Sequence, residues 1–343
     1  MMRVDGATNV NLNTLQETNG PHGQVSPAHN TAALAAAEFA EIEAESMNQA
    51  IDDLSMGAAN YLKKLLSKDQ DEVSQVNTLK DMVADLDGEQ GESISKMAAS
   101  LAELGDADAI MAQIESMGMD NGNVMMLLAG VISSAGMSDA VREKLRKKLQ
   151  ELLGEEGAEL ALIASMEGLP LDQSGLSSLK NLYQRAARGD AGLAKWFSLL
   201  KDMPERRKRI RVLLRALSSS LHDDNTGSDM VKLISVIDDL RRLLIFLSIE
   251  EHCKALGRAC HIEEQGVLTV TLDLVEQSWV YNEWLEDKLN ELSVPADKRI
   301  NFMRLWRELL VQLPDKCFRD PEQQEHITDA MMSLLDLWCE DEE

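Results

Sequence analysis

LDLVEQSWVYNEWLEDKLNELSVPADKRINFMRLWRELLVQLPDKCFRDPEQQEHI, residues 272–327, decides the fold class. Leu272, Val275, Trp279, Leu285, Leu289 and Leu292 recur at intervals that read as one helical face, and Phe302, Met303, Trp306, Leu309, Leu310 and Leu313 read as a second. Just downstream, Ile327, Ala330, Met331, Leu334, Leu335 and Trp338 supply a third. Asp320-Pro321-Glu322-Gln323 gives the third helix a cap, a proline at its first position and a Gln three residues after the cap. Three amphipathic helices in so short a span make a small helical bundle, with Trp279, Trp306 and Trp338 expected in its core. The preceding VLTVTL, residues 267–272, alternates like a strand and equally fits the first turn of a helix; we read it as helix entry.

The same punctuation continues toward the N-terminus. Helices are expected at 70–86, 92–104, 106–117, 121–135, 138–153, 155–166, 172–188, 190–202, 204–221 and 227–247, broken by Asp87-Gly88, Gly105-Asp106, Asp120-Asn121-Gly122 and Gly136-Met137-Ser138. Pro204 fits a first helical position, and residues 223–229 read as a polar linker. Ala33, Ala37, Ala40, Ala44, Met47, Ile51, Leu54, Ala58, Tyr61 and Leu65 alternate spacings of four and three, a heptad stripe with an acidic opposite face. That helix packs either on a partner or on the helices that follow it. Residues 8–30 hold 11 Asn, Gln, Ser or Thr among 23, so residues 1–30 are expected to be disordered in isolation. The fold class is therefore all-α, with almost no sheet.

Composition narrows the function. The 343 residues include 59 Asp or Glu against 34 Lys or Arg, a net charge of -25, which repels nucleic-acid phosphates and anionic lipid. Aromatics reach 4 % while there are 18 Met, so the cores are aliphatic and thioether-rich, as suits helices. VMMLLAGVISSAG at 124–136 and LLIFLSI at 243–249 fall short of the ~20 residues a membrane helix needs, so no transmembrane segment is expected. Four cysteines, all in the last third, do not make a disulfide framework.

No Walker loop, dinucleotide fingerprint, HExxH or GxSxG occurs, and no cofactor or catalytic residue is expected. The rival reading is a helical metalloprotein or enzyme built on His252-Cys253 and Cys260-His261, suitable in chemistry for zinc but not in spacing. ERRKRIRVLLR at 205–215 stands out in an acidic chain. Arg206, Arg207, Lys208, Arg211 and Arg215 are candidates for docking an acidic partner or another domain's acidic face; a solvated helix is the alternative. Trp284, about 140° round the helix from Trp279, and Tyr281 are the aromatic candidates for partner binding, unless Trp284 packs on the second domain.

With the helices placed, residues 272–327 resemble the TyeA-type module of type III secretion gatekeepers. The likeness rests on the Leu-Val then Trp279 helix, the Leu-Ser-Val-Pro break at 292–295, the aromatic and Leu-rich helix, and Phe318 followed by an acidic, Gln-rich cap. GEEGAELALIASM at 154–166 is similar to the HrpJ/InvE/MxiC/SepL portion of that family. The resemblance implies an elongated array of three helical X-bundle-like domains, here 31–137, 138–248 and a TyeA-like 249–343, behind a secretion signal in residues 1–30. It also implies a non-enzymatic plug at the cytoplasmic face of the secretion apparatus, in the bacterial cytoplasm, with secretion of the protein itself after activation. Its implied partners are an export-gate component, small co-regulator or chaperone proteins, and translocator-chaperone complexes.

Overall fold

The computed structural model describes Leu65 and residues 71–84, 86, 88–189, 192–221, 230–263 and 265–341. The N-terminal tail, the heptad stripe apart from Leu65, and the linker at 223–229 lie outside the described residues. Among the described residues there are fifteen α-helices and no strand. They are α1 (Glu72–Ala84), α2 (Gly88–Ala102), α3 (Ala107–Ser116), α4 (Asn121–Ser133), α5 (Asp139–Leu153), α6 (Ala158–Met166), α7 (Gln173–Ala187) and α8 (Leu193–Leu200). There follow α9 (Arg206–Leu221), α10 (Met230–Ser248), α11 (Glu250–Ala259), α12 (Gly266–Glu276), α13 (Asn282–Glu291), α14 (Arg299–Val311) and α15 (Pro321–Asp341). VLTVTL lies in α12, as expected.

Local chemistry sets the helix starts. The side chains of Asp106, Asp120, Ser138 and Asp172 each accept a hydrogen bond from the backbone N–H three residues on, satisfying a donor the helix itself leaves open. Pro204 is a correction: α9 begins at Arg206, because Glu205 takes a left-handed φ of 53° and the Arg209 Nε–H holds the Pro204 carbonyl at 2.9 Å. The turn at Glu205, not the proline ring, launches the helix.

Most of the 124–136 run, up to Ser133, lies in the largely interior helix α4. Met125 through Ala129, Val131 and Ile132 of α4 are buried, and α1, α2, α5 and α6 pack around it; a helix apolar on every side belongs in a core. Gly122 permits the contact with α6, since a Cβ there would sit 2.2 Å from the Ala161 carbonyl oxygen. Helix α5 packs on both α3 and α4, across the boundary expected at 137/138. Helix α9 packs against α6, α7 and α10, and α8 against α10 and α12. Buried apolar side chains from Leu65 to Leu335 consequently form one contiguous cluster.

The C-terminal stretch departs from expectation in one respect. What reads as a single face from Leu272 to Leu292 is two helices, α12 and α13, separated by residues 277–281. Trp279 falls in that connection and is 62 % exposed, whereas Trp306 is fully buried and Trp338 packs partly buried against the core.

A candidate protein-interaction surface

Gln323 explains the break. It is 5 % exposed and follows the cap of α15, where its backbone N–H reaches Asp320 Oδ1 at 2.8 Å and its Oε1 accepts from the Arg319 N–H at 2.8 Å. Its Nε2 donates to the carbonyls of Val275 (3.0 Å) and Gln277 (2.7 Å), groups at the C-terminal end of α12. One side chain thus satisfies the end of α12 and the start of α15, and α12 stops where its carbonyls find a partner 46 or more residues away. Arg242 on α10 does similar work: it donates to the Cys317 carbonyl at 2.8 Å and to Val275 O at 3.4 Å. Its neighbour Asp239 is largely enclosed, and burial pushes that carboxyl up to about 6 despite Arg242 at 3.7 Å. These two residues line a groove of about 1060 Å³ between α10 and the C-terminal helices, walled by Val231, Ile234, Glu276 and Arg319.

The aromatic candidates separate. Tyr281 is 69 % exposed, in extended backbone just before α13. Trp284 is half-buried against the core, with Lys288 Nζ 5.5 Å from its ring centroid; Lys288 also pairs with Asp273 (3.0 Å) and Glu291 (2.7 Å). Trp279 is the exposed indole, its ring centroid 4.7 Å from that of His326.

The basic run meets acidic groups of the chain itself. Arg206 pairs with Glu250 at the start of α11, and Arg215 pairs with Glu167 at the end of α6 at 2.7 Å, both members of the latter largely buried. Arg207 Nη2 donates to Leu247 O at 2.6 Å and Lys208 Nζ to Gly168 O at 3.0 Å. Arg209 is buried, which lowers its pKa, and Arg211 is half-buried. Two members of the basic run thus pair with carboxylates of this chain, Glu167 and Glu250.

Around residues 252–261, burial pushes the Cys253 thiol up to about 12 and raises that of Cys260, while burial lowers the half-buried His252. His261 points outward at a left-handed φ of 60°. Among the described residues no group of three or more His, Cys, Asp or Glu is placed to hold a metal ion. A thiol held this far above neutral pH is a poor nucleophile and a poor metal ligand.

Helices joined by buried polar clasps, with Trp279 and Tyr281 exposed between two of them, define an all-helical fold. Residues 43–204 match the family model of the HrpJ-like domain, and residues 265–343 match that of TyeA. "Secretion system apparatus protein SsaL" of Salmonella typhimurium (strain LT2) is 33 % identical over 220 residues, 63 % of this chain and 64 % of SsaL, so the chain spans less than two thirds of that relative. The solved structure of SepL is 30 % identical, with a TM-score of 0.55 over 73 % of this chain and 99 % of that one. The chain belongs to the type III secretion gatekeeper family.

Proposed function

We propose that this protein is a non-enzymatic switch in type III secretion, holding back late effectors while translocator proteins are exported first. The observation that carries the reading is the order of two family matches in one chain, an HrpJ-like domain followed by a TyeA module. The switch works by competition between protein surfaces: an export-gate component, small co-regulators or chaperones, and translocator-chaperone complexes contend for the same molecule. Its place is the cytoplasmic face of the apparatus, with export of the protein itself once the block is released. Residues 1–30 serve as the export signal, and the chain divides functionally near residues 137 and 248. Tyr281 and Trp284 contribute to a partner site on the TyeA-type unit, and Arg206, Arg207, Lys208, Arg211 and Arg215 shape a second one around α9.

The absence of a catalytic motif and the raised thiols support an adaptor over a metalloenzyme. Deleting the gene in its own host and following secreted proteins over time tests the proposal. Effectors should appear early and translocator export should fall; unchanged order and amounts would refute it.

A further inference from the structure

Trp279 and Tyr281 stand two residues apart in a connection laid along the first turns of α15. Gln277 O is held by Gln323 at 2.7 Å, Ser278 Oγ accepts from Arg319 Nη1 at 2.9 Å, and the Trp279 ring meets His326 at 4.7 Å. Among the described residues these two are the aromatic members of the exposed large apolar side chains, in a chain that is 4 % aromatic. Solvent-facing neighbours in sequence and along the helix are acidic: Glu322, Glu325 and Asp329 on α15 and Glu283 in the first turn of α13. Helix α15 carries six Asp or Glu and neither Lys nor Arg. The nearby cation Arg319 bonds Ser278 and the Glu276 carbonyl, the latter at 2.7 Å.

Exposed indole and phenol rings bring large apolar area and a negative π face, and carboxylates around them favour positive charge. A neutral apolar partner would have to desolvate those carboxylates without compensation, whereas a guanidinium or ammonium group stacks on the rings and pairs with the acids. We propose that Trp279 and Tyr281, flanked by Glu322, Glu325 and Asp329, form a docking surface for a Lys- or Arg-rich segment of a partner protein. The proposal rests on the reading that the TyeA-type unit binds partners, and it adds the chemistry of the partner and a new anchor. That anchor is Trp279, since Lys288 already covers the Trp284 ring from within the chain.

The test is fluorescence anisotropy of a labelled peptide of alternating Arg and Gly against the full chain, with a Glu and Gly peptide as control. Trp279→Ala and Tyr281→Ala should each weaken binding about tenfold, as expected of anchor residues. The pair Glu322→Gln and Glu325→Gln should weaken it several-fold, and raising salt from ~50 to ~300 mM should weaken it further. Val73→Ala, at an exposed apolar site elsewhere, should leave affinity unchanged. Equal binding by the parent and both aromatic variants would overturn the proposal, reducing the effect to attraction by the net charge of -25. Self-association that disappears in Trp279→Ala would also overturn it, because the occupant would then be a second copy. Should Trp279→Ala melt early, Tyr281→Ala decides alone. Loss of secretion order on gene deletion is independent of these results, so failure here would leave the gatekeeper proposal standing.

Discussion

Trp306 Nε1–H donates to Thr271 Oγ at 2.9 Å, and the Thr271 hydroxyl passes the chain on by donating to Val267 O at 2.7 Å. Both residues are fully buried, on α14 and α12, so a single hydroxyl satisfies an indole that water cannot reach. Thr271→Val keeps the shape and removes the acceptor. It should cost about 1–3 kcal/mol, the penalty for a buried donor left open, read as a lower urea midpoint with unchanged m-value. Trp306→Phe in the Thr271→Val background should cost less than in the parent; strict additivity would disprove the coupling.

Gln323→Leu should free the carbonyls at the end of α12 and the Arg319 N–H in one step. We expect a loss of about 2–4 kcal/mol and faster amide exchange confined first to residues 277–281 and the start of α15. Exchange that rises uniformly over the whole chain would contradict the local clasp.

Arg215→Ala leaves Glu167 buried without its 2.7 Å partner and should cost about 3–5 kcal/mol. Replacing both by Met and Leu should be far milder, because the penalty is the stranded charge and not the missing attraction. Thermal melts of the three variants decide it.

Asp239 gives stability a pH slope of definite sign. Its carboxyl titrates at about 6 in the fold against a usual 3.8, so the native state holds the proton more tightly than the unfolded chain. Its contribution is fully present below the usual value and is lost as pH rises through about 6. His252, lowered by burial, acts in the opposite sense, so the comparison with a variant isolates Asp239. Between about pH 5 and pH 7.5, Asp239→Asn should gain stability relative to the parent as pH rises; parallel urea midpoints would refute this.

Helix positions were largely legible because they depend on local signals: caps at Asp106, Asp120, Ser138 and Asp172, and a continuous apolar run for α4. The gap at 277–281 was not legible. No Gly or Pro marks it, and its cause is an amide on Gln323 brought close by the fold. Trp279 and Trp284 exchanged places for the same reason: helical spacing was counted through a segment where no helix runs. Charge was half legible, since the basic run at 205–215 was plain, but Glu167 and Glu250 are ordinary acids until packing brings them to it.

Helix α9 lies in the stretch that neither family match covers, yet it is pinned at its start to Glu250 and near its middle to Glu167, the second of these inside the HrpJ-like match. Helix α9 is therefore a beam seated in two sockets. Anyone grafting a TyeA-type end from one relative onto the front of another should move the junction outside α9 and carry Glu167 and Glu250 with it. A cut at residue 204, where the HrpJ-like match ends, would leave the beam with its Glu167 socket missing.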